Sequence, residues 1–186
     1  MPLEGLSVGK DFQDLFGPGE PGDDTWPTSG GDIGDIEPEN RKPHALHEKE
    51  VKVIGVFEPT TDEPTESTTP PPTFVLLQDR RQRKVPIWIG RTEAMAISMA
   101  MDGEEPERPM THDLIRILLN KLGAGVDRVI IDDLWQETFY AKLTVTHGGE
   151  VFDIDCRPSD AIAVALRTGA PIYIAEAVFE QVEQRF

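Results

Sequence analysis

Two short segments concentrate side chains able to handle a phosphate or a proton. Arg108-Pro109-Met110-Thr111-His112-Asp113 and Arg157-Pro158-Ser159-Asp160 repeat one design: Arg-Pro, a hydroxyl residue, then an Asp. Proline suits the first turn of a helix, where N–H groups have no partner within the helix. Thr111 or Ser159 can accept from one of those groups, and Asp113 or Asp160 is favoured by the positive end of the dipole. Both segments therefore read as capped helix starts. The same features also suit an anion, because free N–H groups beside an arginine attract phosphate. Just before the second segment, Asp153-Ile154-Asp155 places two carboxylates on one face of a strand, since side chains at i and i+2 align.

Two function classes fit these residues. In the first, the protein is an enzyme that holds a phosphate group and acts on it with the help of a metal ion. Asp153 and Asp155 hold a divalent cation, Mg²⁺ or Mn²⁺, with Asp160 or Glu93 as further oxygen donors. His112, Asp113 and Asp160 supply acid–base chemistry, while Arg108, Arg157 and Ser159 bind the substrate phosphate. In the second, a non-enzymatic binding or regulatory module uses the same polar cluster as an anion site or subunit interface. Each residue also has a plain structural role open to it: solvated strand acids, capping acids, a hydrogen-bonded histidine.

The elements that must position these groups follow from periodicity. Glu50–Phe57 alternates as a strand, and Thr73–Gln78 and Lys84–Ile89 are two more, joined by the basic turn Asp79–Arg83. From Thr92 the pattern turns helical, with Ala94, Ile97, Ser98 and Met101 at i, i+3, i+4 and i+7 and a stop at Gly103. Met110–Leu122 is a second helix, stopped by Gly123, with Leu114, Ile117, Leu118 and Lys121 along one side. Val126–Leu134 and Thr138–His147 are strands, and Gly148-Gly149 turns the chain into Val151–Ile154. Pro158–Thr168 is a nearly buried helix ended by Gly169, followed by the short strand Pro171–Ile174 and the helix Ala175–Gln184. Strands, helices and strands in that order predict an α+β fold, a mixed or largely antiparallel sheet packed with about four helices.

Residues 1–48 read as a disordered acidic arm and residues 49–186 as one domain. Residues 1–50 hold 12 acids against 4 bases, with 8 Gly and 6 Pro, and their apolar residues follow no period. A partner-induced helix anchored by Phe12, Leu15 and Phe16 is the other reading of the arm. Glu58–Pro72, with three consecutive prolines, reads as an extended loop. The lone Cys156 excludes an internal disulfide framework and a Cys-rich zinc site. No phosphate-binding glycine loop, GxSxG, HExxH or CxxC occurs. Without a signal-like N-terminus or a long apolar run, the expectation is a cytoplasmic protein. A net charge of -16 argues against a nucleic-acid partner, and residues 51–186 alone still hold 22 acids and 14 bases. The local exception is the basic turn with Arg80, Arg81, Arg83 and Lys84, which could steer a phosphate or merely solvate a hairpin.

Taken together, Pro86-Ile87-Trp88-Ile89-Gly90, Glu93-Ala94, Arg108–Leu114 and Asp153–Ala163 resemble the bifunctional nuclease family. The likeness covers about residues 50–184 and not the acidic arm. It implies an α+β domain, often oligomeric, with DNase and RNase activity, and it carries the motif residues over as candidates without a settled catalytic constellation. The proline-rich loop looks longer than the family's usual connection. The aromatic residues Trp88, Trp135 and Phe139 exceed what one small core would enclose, so a homodimer is expected.

Overall fold

A computed structural model describes residues 47–58 and 73–184. Residues 1–46 of the acidic arm, 59–72 of the proline-rich loop and 185–186 lie outside the described residues, and the arm's last position, Glu48, is the first residue of β1. Seven strands and four helices follow in the order β1 (Glu48–Phe57), β2 (Thr73–Asp79), β3 (Lys84–Ile89), α1 (Arg91–Asp102), α2 (Thr111–Lys121), β4 (Gly125–Trp135), β5 (Thr138–His147), β6 (Glu150–Cys156), α3 (Pro158–Thr168), β7 (Ile172–Ala175) and α4 (Glu176–Glu183). The sheet order is β3-β2-β1-β7-β4-β5-β6. All pairs are antiparallel except β4 with β7, so the sheet is mixed and largely antiparallel, as the order of elements predicts. The short β7 inserts between two three-strand meanders and joins them into one sheet.

Alternation gives the sheet two unlike faces. Val75 and Leu77 of β2, Val85 and Ile87 of β3, Val129 and Ile131 of β4, and Ile172 and Ile174 of β7 are buried. They form one core with α3 and with Val178, Phe179 and Val182 of α4. α3 is buried from Ala161 to Ala165, which suits its run of small and apolar residues. The other row of β2 and β3 (Phe74, Leu76, Pro86, Trp88) is half-buried or exposed, and no described helix covers it.

In two helices the inward side differs from the simplest reading of the pattern. In α2, Ile115 and Leu119 pack on the core, whereas Leu114 and Leu118 stand exposed; the residue buried in its first turn is His112. In α1, Ala94, Ala96 and Ile97 are buried and Met101 is exposed. Phe139 packs against the core, while Trp88 and Trp135 remain exposed. Among the described residues no helix is long and apolar enough to cross a membrane.

Candidate functional site

The starts of three helices converge. Their first turns are set locally: Gly90 caps α1, Met110 caps α2 in an extended conformation, and Arg157-Pro158 opens α3 with proline in the first turn. Tertiary contacts then bind these ends together. His112 Nε2 lies 3.1 Å from Asp160 Oδ1. Asp160 also accepts from Arg157, at 2.7 Å from Nε and 3.0 Å from Nη2. The same guanidinium reaches across to Glu93 Oε1 at 2.9 Å. Residues from three separate stretches of chain thus form one line, His112–Asp160–Arg157–Glu93.

Each member has a defined electrostatic setting. Burial pushes the Asp160 carboxyl up, but hydrogen bonds from Arg157 and then His112 outweigh it, leaving its pKa below the usual range. With Asp160 ionised, Nε2 of His112 carries the shared hydrogen. The other ring nitrogen, Nδ1, is buried with no partner among the described residues. Glu93 folds back on its own backbone N–H and accepts from Thr92 at 2.9 Å, and these bonds with Arg157 lower its pKa. Gly90 permits that fold, since a Cβ there would overlap Glu93 Oε2. Glu93 is therefore a capping acid of α1 as well as a partner of Arg157.

A cleft of about 330 Å³ opens beside this line, with Trp88, Glu93, Glu137, Arg157 and Ser159 in its wall. The end of β3 and the β4–β5 turn meet there although three strands lie between β3 and β4, so the sheet is strongly curled. Ser159 is buried in the first turn of α3, where backbone N–H groups have no partner within the helix. The β4–β5 turn runs through Gln136 and Glu137 at φ 47° and 65°. Asn-Gly is the usual pair in such a turn, so two larger residues there cost backbone energy at the cleft's rim.

The other candidates fall elsewhere. Asp113 accepts from the Met110 N–H at 3.0 Å and from Arg167 Nε at 2.6 Å. Arg167 also donates to the carbonyls of Ala96 and Ala163, so this pair ties α1, α2 and α3 together. Burial raises the Asp113 pKa, but Arg167 and the Met110 amide more than reverse that. Arg108 is exposed between α1 and α2 with no ion pair among the described residues. Asp153 and Asp155 do share one face of β6, and Asp153 accepts from Thr144 Oγ1 at 2.7 Å. That face is the one opposite Lys142 and Thr144 of β5, whereas the helices pack beside Ala141 and Leu143. The carboxylate pair and the helix-start line are thus on opposite faces of the sheet. Among the described residues no three His, Cys, Asp or Glu side chains are placed to hold a metal ion together.

Cys156 is not a nucleophile in this setting: burial first, then the charges of Asp155 and Asp160, push its thiol up to about 12. Arg167 and Glu137 escape a reading of the sequence. Arg167 looks like an ordinary basic residue in the last turn of a helix, and its partner lies 54 positions away. Glu137 could have been singled out as a non-glycine residue in a two-residue hairpin turn.

The fold and these contacts define an α+β domain whose helix starts share an arginine and a histidine–carboxylate pair. The chain belongs to the bifunctional nuclease domain family, which matches residues 75–186. It is 43% identical over 136 residues to an uncharacterized protein of Mycobacterium tuberculosis, covering 71% of this chain and 74% of that one. It is 30% identical over 111 residues to bifunctional nuclease 2 of Oryza sativa subsp. japonica, covering 58% of this chain and 34% of the plant protein. Bifunctional nuclease 1 of Arabidopsis thaliana is 28% identical over 109 residues, with 34% of its length covered.

Proposed function

We propose that this protein is a nuclease, a hydrolase of DNA or RNA phosphodiester bonds, with the cleft beside Arg157 as its active site. The observation that carries the reading is the convergence of His112, Asp160, Arg157 and Glu93 at the starts of three helices. A phosphate entering the cleft competes with Asp160 and Glu93 for the Arg157 guanidinium, which can hold two phosphate oxygens at once. The free amides of the first turn of α3 add to that charge stabilisation. His112 meets Asp160 through Nε2 and its free Nδ1 is buried, so in this reading substrate binding opens the first turn of α2 towards the cleft. The ring then takes the proton of the attacking water and returns one to the leaving oxygen, with Asp160 steadying the imidazolium between the two steps. A divalent cation belongs to this reading as a requirement to be measured, with no assigned ligand set.

One observation favours the non-enzymatic alternative: Arg157 is already engaged by two carboxylates, as in a purely structural ion-pair network. The two readings separate in one experiment. Wild type, His112→Ala and Arg157→Lys, purified identically, are assayed on single-stranded and double-stranded DNA and RNA, with Mg²⁺, with Mn²⁺ and with chelator. The nuclease reading expects wild-type cleavage that falls by roughly 10²–10⁴-fold in His112→Ala. Equal rates in all three proteins mean contaminating enzyme, and the binding-module reading then stands.

A further inference from the structure

The sheet face turned away from the helices carries an aromatic row that the helix-start line does not use. Phe57, Phe74 and Trp88 are register partners across β1, β2 and β3. The Phe57 and Phe74 rings stack with centroids 5.7 Å apart, and Trp88 meets Phe74 edge-on at 5.1 Å. Trp88 is 55% exposed and Phe57 41% exposed. Cross-strand aromatic pairs do stabilise a sheet, but leaving two of three large rings this open forgoes much of the gain from burying them. The row is also held flat: a Cβ on Gly55 would stand 3.0 Å from the Phe57 ring, so the ring lies against the strand's own backbone.

The rest of this face changes character along the strands. From Trp88 the outward row of β3 passes Pro86 to Lys84, and Lys52 of β1 lies opposite Gln78 of β2. Lys52 and Lys84 are exposed and form no ion pair among the described residues. Trp88 and Lys84 stand about 13 Å apart at the usual strand rise, room for a short run of extended nucleotides. At the other end, Trp88 also lines the cleft that holds Arg157. The basic turn itself contributes less than its composition suggests. Arg83 turns inward to Asp79, Glu176 and the Phe179 ring, and Arg80 is paired with Glu50.

Resting on the nuclease reading of the cleft, we infer that this face is a binding platform for single-stranded nucleic acid. Bases stack on Trp88, Phe74 and Phe57, phosphates run towards Lys84 and Lys52, and the strand passes over Trp88 into the cleft. The acidity of the chain favours a single strand over a duplex. A net charge of -16 opposes capture by phosphate charge alone, which dominates duplex binding. Stacking needs no charge, but it needs base faces that only an unpaired strand offers.

The test is fluorescence anisotropy with labelled twelve-residue oligothymidine, oligouridine and a twelve-base-pair duplex, in chelator so that binding is read without turnover. Wild type should bind both single strands more tightly than the duplex, since stacking tolerates either sugar. Trp88→Ala should weaken single-strand binding roughly 5- to 150-fold. Trp88→Phe should restore most of it, and Lys52→Ala with Lys84→Ala should reduce its salt dependence. Near-ultraviolet circular dichroism and melting confirm that the variants fold, as expected for exposed positions. Unchanged single-strand binding in Trp88→Ala overturns the platform, and a simultaneous shift from dimer to monomer would reassign the row to a subunit interface. The two readings fail separately. Trp88-dependent binding without any cleavage sinks the nuclease and keeps the platform; cleavage with binding and rates indifferent to Trp88 does the reverse.

Discussion

The helix-start line and the carboxylate pair on β6 look equally chemical as strings of residues, yet they occupy opposite kinds of position. His112, Asp160, Arg157 and Glu93 come from three stretches of chain and are joined by contacts of 2.7–3.1 Å in a partly buried setting. Asp153 and Asp155 are neighbours in sequence on an edge strand whose residues are exposed from Glu150 to Asp155. The first arrangement exists only because the fold makes it: His112 and Glu93 are largely buried, while Arg157, 66% exposed, faces solvent that screens its charge. The second is what any alternating strand gives its acids. Inward-pointing or exposed charge on an edge strand has a sufficient role in discouraging pairing with another chain. Long-range convergence, more than local density of polar residues, is the ground for proposing the helix starts as the site.

The largest expected effect is on activity. His112→Ala should lower nucleic-acid cleavage by roughly 10²–10⁴-fold while binding of a single strand persists, because it removes proton transfer and not the phosphate clamp. A drop smaller than tenfold would reduce His112 to a structural partner of Asp160 and erase the contrast between the two regions.

Next in size is the neighbouring ion pair. Asp113 and Arg167 are among the least exposed charged side chains, at 15% and 7%, so removing one leaves the other buried and uncompensated. Arg167→Ala should cost about 3–5 kcal/mol, seen as a fall in Tm on the order of 10 °C. If Tm barely moves, the three-helix junction is held by packing alone.

A third expectation concerns pH. The carboxyls of Asp113 and Asp160 both have pKa values held below the ordinary range: burial works against this, and the partners Arg167 and Arg157 overcome it. A group with a lowered folded pKa stabilises the fold above its unfolded value and loses that contribution as pH falls through the folded one. Melting temperature should therefore be level from neutral pH down to about pH 5 and fall below about pH 4. In Asp113→Asn the acid limb should be shallower. An identical limb in that variant would assign the acid sensitivity to other carboxylates.

Much of this fold is legible before folding, for identifiable reasons. Gly103, Gly123 and Gly169 all adopt positive φ and end helices where the periodic pattern stops. The strands show because half-buried strands alternate, and the helix starts show because Arg-Pro, hydroxyl and Asp are local capping chemistry. What is not legible depends on distant partners. β7 is four residues long, and its place between β1 and β4 is decided by both neighbours. The face shared by Asp153 and Asp155 follows from alternation, but which face of β6 meets the helices does not. Phe152 and Ile154 on the other face are themselves exposed, so hydrophobicity gives no orientation there. The Asp113–Arg167 pair is invisible for the same reason, since neither residue announces its partner.

The smallest expected effect is the sharpest check on the comparison. Asp155 lies opposite Lys142 in the β5–β6 ladder, on the face away from the helix starts. Asp155→Asn keeps the side chain's size and removes its charge, so a cross-strand contribution of roughly 0.2–1 kcal/mol is at stake. Cleavage should change by less than about threefold, while His112→Ala in the same series loses most of it. If Asp155→Asn instead abolishes a cation-dependent activity with its melting curve intact, an ion is held on the edge strand. The catalytic centre would then move from the helix starts to β6, and the convergence at Arg157 would become a structural network.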